Sequence, residues 1–191
     1  MRAQEAFDEL VDGRVWPFLL THDFKRSRYT FHRRHGANWQ VINLQKSTRS
    51  SAEIVHFTAN LGVALDRLRT GGYDWAPGRR PPEFRCHMRA RVGQLLSGRD
   101  TWWDLSADSN TVALGETVTL VLELYAMPWL DARSTDEALI ALARDPEALR
   151  DEPGQDPLRW LSRLMGQLGE AEARRTVDAE AARRHAARSS H

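Results

Sequence analysis

The sequence predicts an α+β fold: a mainly antiparallel sheet of about four strands, with helices on one face and a C-terminal helical extension. Three observations carry this prediction. Residues 24–63 divide into three segments of alternating apolar and polar side chains, the first two joined by Gly36-Ala37-Asn38. The alternation separates one oily face from one polar, basic face, the pattern of a sheet covered on a single side. Helical periodicity dominates before residue 21 and after residue 109.

From the N-terminus, Ala6, Phe7, Leu10, Val11 and Phe18 predict a helix over about 2–20. Gly13 and Pro17 interrupt it. Pro17 places a kink or break near Val15, because its ring clashes with the preceding turn and it has no N–H to donate. The first strand runs from Phe24 to His35, the second from Trp39 to Lys46, and the third from Val55 to Val63. The Ser/Thr-rich stretch Ser47–Ala52 links the second and third. Gly71-Gly72, Pro77-Gly78 and Pro81-Pro82 mark 70–82 as an irregular loop. A fourth strand is read over about Arg85–Gln94, after which Trp102-Trp103-Asp104-Leu105 enters a loop.

A helix follows from about Ser109 to Met127 on Val112, Leu114, Val118, Val121, Leu122 and Tyr125, with a strand as the alternative because of Thr117 and Thr119. Pro128-Trp129-Leu130-Asp131 punctuates the chain. Ser134-Thr135-Asp136-Glu137 has capping-box spacing, with Ser134 as the cap of a short helix ending near Arg144. Asp156-Pro157 opens a helix that buries Leu158, Leu161, Leu164, Met165 and Leu168 and ends at Gly169. Residues 170–188, rich in alanine, glutamate and arginine, read as a marginal, solvated helix. Residues 1–132 thus form the α+β domain, and 133–191 a helical extension with a weakly ordered tail.

Strand side chains alternate, so each strand assigns its residues to a face. Tyr29, Phe31, Ile42, Leu44, Val55, Phe57, Ala59, Leu61 and Val63 point inward, and Cys86, Met88, Ala90 and Val92 join them. The other face collects His32, Arg34, Asn43, Gln45, His56, Thr58, Asn60, His87, Arg89 and Arg91. It is rich in donors and contains no acid. A solvated sheet face is the ordinary reading; the functional reading is a surface that binds a carboxylate, a phosphate or an acidic partner. On this assignment Phe57→Ala opens a cavity, whereas Thr58→Ala costs little.

The formal net charge of +1 conceals an asymmetry. Residues 1–100 hold 17 Lys/Arg against 10 Asp/Glu, and residues 101–191 hold 10 against 16. Only Lys25 and Lys46 are lysines, an arginine usage that suits bidentate anion recognition but equally reflects GC-rich coding. The lone Cys86 excludes an intrachain disulfide and leaves any metal to histidines and carboxylates. His32, His56 and His87 have no HExxH or helical pair spacing, so neither metal nor cofactor is expected. Gln45 and Lys46 are adjacent and diverge, which removes a nuclease-type Glu/Gln-x-Lys site; Cys86 and His87 diverge likewise. No Walker loop or GxGxxG is present. The amphipathic N-terminus and the lack of a long apolar run point to a soluble, cytoplasmic protein without a membrane role. Trp102-Trp103, with Trp75 and Trp129, form either an aromatic recognition patch or, for at least one of the pair, a cap on the core.

The order and spacing of several motifs resemble a known family. Phe24-Lys25-Arg26, Thr30-Phe31, Val41-Ile42-Asn43-Leu44-Gln45-Lys46-Ser47 and Phe57-Thr58-Ala59-Asn60-Leu61-Gly62-Val63 come first. Cys86-His87, Arg89, Arg91, Trp102-Trp103 and Pro128-Trp129-Leu130-Asp131 continue the pattern. Over about residues 5–135 the chain resembles the uncharacterised bacterial family catalogued as domain of unknown function 4304. The resemblance implies a compact α+β domain and supplies no activity or catalytic residue. Asp23 departs from it, standing where members often carry glycine before the phenylalanine, a position where a left-handed helix end prefers glycine.

The residues favour binding over catalysis: a protein partner or small anionic ligand held on the polar face. Two alternatives compete. One is a nucleic-acid module using the basic 24–49 segment; residues 21–49 hold seven Lys/Arg and a single acid, Asp23. Tyr29 and Phe31 point inward there, away from any base. The other is an enzyme with His56 or His87 as acid/base, for which the strands offer no partnering carboxylate.

Overall fold

The structure, a computed structural model, describes residues 2–69, 79–153 and 157–189. Most of the loop read at 70–82, including Gly71, Gly72, Trp75, Pro77 and Gly78, lies outside the described residues. So do the helix cap Asp156 and the terminal His191. No helix among the described residues is long and apolar enough to cross a membrane.

Among the described residues six strands form one antiparallel sheet: β1 (Lys25–Ser27), β2 (Thr30–His35), β3 (Asn38–Lys46), β4 (Ile54–Ala64), β5 (Met88–Arg91) and β6 (Trp103–Ser106). The order is β1-β2-β3-β4-β5, and β6 also pairs with β4. The 11-residue β4 takes β6 along 54–57 and β5 along 60–63. This exceeds the four strands expected, for two reasons. The segment read as one strand, Phe24–His35, folds into a hairpin at Arg28, whose φ of 56° lies in the left-handed region. Residues 103–106, read as a loop, instead pair with β4. The strand read over 85–94 shortens to β5 between a 3₁₀ turn at Glu83–Arg85 and the helix α3 (Val92–Ser97).

Two long helices lie on the inner face, and both are interrupted in the same way. The first comprises α1 (Ala3–Leu10), a π turn (Val11–Val15) and α2 (Trp16–Thr21). The second comprises α4 (Thr111–Val121), a π turn (Leu122–Ala126) and α5 (Met127–Asp131). Trp16 N–H reaches back five residues to the Val11 carbonyl, and Met127 N–H reaches the Leu122 carbonyl. Each donor immediately precedes a proline. Pro17 and Pro128 have no N–H, and the wider turn ahead of each accommodates the missing rung. Pro17 therefore bulges the helix without breaking it, and Pro128 sits inside a helix where punctuation was expected. The alternative strand over 109–127 is not formed.

Asp23, the departure from glycine, adopts φ 62° directly after α2. α6 (Asp136–Arg144) is capped by Thr135, whose Oγ1 accepts the Ala138 N–H at 3.2 Å. Ser134, expected as the cap, instead donates to the Leu130 carbonyl (3.0 Å) and accepts from Gln40 Nε2 (2.6 Å). α7 (Pro146–Arg150), α8 (Pro157–Leu168) and α9 (Ala171–Ser189) complete the chain.

Phe7, Phe31, Ile42, Phe57 and Leu61 share one buried cluster with Leu122, Leu130, Leu139, Leu161 and Val177, so the C-terminal helices pack into the same core as the sheet. α9 is not solvated all round: it buries Ala173 and Val177, and its Glu180 carboxylate meets Arg183 (2.7 Å) and Arg184 (3.1 Å). A second, small cluster of Trp39, Val41, Ala64 and Cys86 lies apart from it, on the outer side of the sheet. Strand alternation predicts Cys86 inward with Met88. The 3₁₀ turn before β5 breaks the alternation and turns it outward, against Gly62.

Candidate functional site

The outer sheet face is built by strand register. Thr30 stands opposite Asn43, Asn43 opposite Asn60, and Asn60 opposite Arg91. A parallel row runs His32, Val41, Gly62, Arg89, while Gln45 faces Thr58 and His56 faces Asp104. Nine of the ten residues expected on this face are therefore together: His32, Arg34, Asn43, Gln45, His56, Thr58, Asn60, Arg89 and Arg91.

His87 is the exception. It precedes β5 and turns toward the core, 2% exposed, with its ring edge-on to Trp160 at 4.9 Å. Its Nδ1 accepts the Leu65 N–H at 2.9 Å. Burial lowers its pKa to about 4, Arg163 adds to the effect, and a hydrogen bond with the Leu68 backbone opposes it. His32, His56 and His87 accordingly do not share a face, and among the described residues no three His, Cys, Asp or Glu side chains gather as a metal would require.

The face was expected to contain no acid. Within the strands of that expectation this holds, but acids from outside them close over it. Asp104 on β6 lies 2.5 Å from His56 Nδ1. Asp100 meets Arg91 at 2.5 Å, and Glu83 meets Arg89 at 2.9 Å. Asn60 donates to Gln45 (2.7 Å) and accepts from Arg91 (3.2 Å), so the centre of the face is an internally satisfied polar network. Thr58 is fully buried and donates to the Thr101 carbonyl at 3.0 Å. Arg34 lies over the Trp39 ring, 5.1 Å from its centroid. Beside it the His32 imidazole is lowered to about 4 by burial, with Arg80 and Lys25 contributing.

Where the strands end, the face opens into a cleft of about 670 Å³. Its walls are the β3–β4 loop (Ser47, Thr48, Arg49), the ends of β3 and β4 (Gln45, His56), and Asp100 and Trp102 ahead of β6. A neighbouring hollow of about 330 Å³ shares Asp100 and reaches Asn60, Arg89 and Arg91. The two tryptophans divide their roles. Trp103 packs on Phe57 at 5.3 Å, while Trp102 lines the cleft with the Arg91 guanidinium 5.3 Å from its ring centroid. Trp129 is buried in the core and Trp75 lies outside the described residues. Sequence reading missed Asp100, Asp104 and Arg49 as site residues. The Ser/Thr-rich loop beside a strand end was the one available signal; pairing of β6 with β4 has no local signature.

An antiparallel sheet with helices on its inner side and a polar, cleft-bearing outer side defines an α+β domain. A family model described as a domain of unknown function, DUF4304, matches residues 15–132, and the chain belongs to that family. No curated protein and no solved structure matches the chain.

Proposed function

We propose that this is a non-catalytic binding protein that holds a small anionic ligand on its outer sheet face, in the cleft between the β3–β4 loop and Trp102. One observation carries the reading. Arg49 is a cation on the cleft wall with no carboxylate partner among the described residues, whereas Arg89 and Arg91 are already paired with Glu83 and Asp100. Ser47 and Thr48 supply hydroxyls next to it, and Trp102 supplies an apolar plane. The ligand's anionic group would sit on the Arg49 fork, which suits carboxylate or phosphate.

Nucleic acid is a less favoured ligand. Arg26, Arg33 and Arg34 of the basic segment meet Asp12 (2.6 Å), Asp131 (2.5 Å) and Asp66 (3.9 Å), and Phe31 is buried. An acid–base enzyme has one specific observation in its favour: the His56–Asp104 pair orients an imidazole on the cleft wall.

Calorimetry with citrate and with inorganic phosphate tests the proposal. Loss of about tenfold in affinity in Arg49→Ala, with a smaller loss in Trp102→Ala, supports it. No binding of either anion, or equal affinity in Arg49→Ala, overturns it. Recovery of a bound physiological ligand chemically altered after incubation, with His56→Ala abolishing the change, would move the assignment to the enzyme.

A further inference from the structure

The surface of the C-terminal helices presents a second concavity, unrelated to the outer sheet face and outside the family-matched residues 15–132. α8 turns Leu158, Leu161, Leu164 and Met165 into the core. The same 3.6-residue period sets Arg159 and Arg163, four residues apart, on its other side. Gly169, at φ 75°, ends the helix in the left-handed conformation and lets α9 fold back along α8. That reversal brings Arg174, in the first turn of α9, across Gly166. A Cβ at position 166 would lie only 3.2 Å from the Arg174 guanidinium, so the absence of a side chain leaves room for the arginine. Arg159, Ser162, Arg163, Gly166, Gln167 and Arg174 together line a hollow of about 400 Å³.

The charges in this hollow are poorly compensated from within. Arg159 and Arg163 have no carboxylate partner among the described residues; Arg159 lies over the Trp160 ring, 5.3 Å from its centroid. Among the described residues Arg174 has only Asp178 as a carboxylate partner, at 3.7 Å, with both side chains more than half exposed. Three guanidinium forks converging on one concavity repel each other and present many N–H donors in planar pairs. A phosphoryl group, with its several oxygens and its charge, relieves the repulsion and uses the forks bidentately. Ser162 and Gln167 add neutral donors. A lone carboxylate has two oxygens and engages fewer of these groups.

We propose that the α8–α9 seam is a binding site for a phosphoryl group, distinct from the cleft at Arg49. The test is calorimetry with inorganic pyrophosphate at low ionic strength on the full chain. Compared, both in an Arg49→Ala background that removes the fork of the other cleft, are the chain with and without the double variant Arg163→Gln/Arg174→Gln. The expected result is affinity at least about tenfold weaker when the double variant is added, and falling as salt rises. Equal binding with and without the double variant, no binding at all in the Arg49→Ala background, or equally tight binding of acetate would overturn it. Should the double variant not retain the wild-type melting midpoint, Arg159→Gln replaces it, with the same expected and overturning outcomes. A flotation arm with phosphatidic-acid vesicles identifies the source: flotation displaced by pyrophosphate assigns a lipid headgroup, and pyrophosphate binding without flotation assigns a soluble phosphate.

Discussion

Arg133 and Glu152 form a buried, two-pronged ion pair. Arg133 Nε donates to one carboxylate oxygen at 3.0 Å, and a terminal nitrogen of the guanidinium donates to the other. The two residues are only 7% and 4% exposed. The remaining terminal nitrogen donates to the Trp129 carbonyl at 2.7 Å, and the guanidinium lies 4.4 Å from the Trp129 ring centroid. The pair ties the turn after α5 to the segment between α7 and α8, and the bond from Arg133 to the Trp129 carbonyl carries that tie into α5, the last helix of the family-matched residues.

Removing one partner leaves a desolvated charge. Glu152→Ala should destabilise the fold by about 3–5 kcal/mol, whereas replacing both residues with apolar side chains of similar volume should cost far less. Denaturant melts of the single and double variants measure the difference. Equal losses in the two would show that the charges are solvated.

The two sides of β4 offer a second test. Phe57 is fully buried between Phe7 and Trp103, and Phe57→Ala should cost about 3–5 kcal/mol through cavity formation. Alternation alone leaves Thr58 in solvent with little to lose. Its full burial and its bond to the Thr101 carbonyl raise the expected cost of Thr58→Ala to about 1–2 kcal/mol, in the same melts.

Gly62 has no space for a side chain. A Cβ there would stand 2.6 Å from Cys86 Sγ and 2.8 Å from Cys86 Cβ. Gly62→Ala should therefore destabilise by about 1–3 kcal/mol or more. Cys86→Ala removes one of the two clashing atoms, so the double variant should be more stable than the sum of the single effects. Strict additivity in a thermal melt would contradict the contact.

Stability should fall on mild acidification. His87 has a folded pKa of about 4 against about 6.5 when unfolded, because burial disfavours the cation. Its contribution is intact above pH 6.5. Below that, the unfolded chain takes up a proton that the fold refuses, and the contribution is lost progressively down to about pH 4. The loss from His87 should approach about 3 kcal/mol, and His32, also lowered to about 4, should add to it. Urea melts from pH 7 to pH 4 measure the slope. His87→Gln, which keeps an acceptor for the Leu65 N–H, should flatten it.

Much of this architecture was legible locally. Alternation in β2, β3 and β4 assigned Phe31, Ile42, Leu44, Phe57 and Leu61 to the core correctly, because a strand's period of two is a backbone property. The positions of Pro17 and of Gly169 likewise located a helix distortion and a helix end, since a missing N–H and a left-handed φ act on their own neighbours. Nine of the outer-face residues follow from the same rule.

Other features depended on contacts that no local pattern encodes. His56 gains Asp104 only because β6 adds to the edge of β4, 48 residues away. His87 turns inward, and Cys86 outward, because a 3₁₀ turn interrupts the alternation just before β5. Arg89 and Arg91 read as free cations until Glu83 and Asp100 are folded against them. The sequence by itself determined which faces are apolar and where the backbone cannot stay regular, because those are properties of neighbouring residues. Only the tertiary structure decided which charges are cancelled and which, like Arg49, are left facing a cleft. Charge compensation is set by distance in space, and the chain brings those partners together only when it closes.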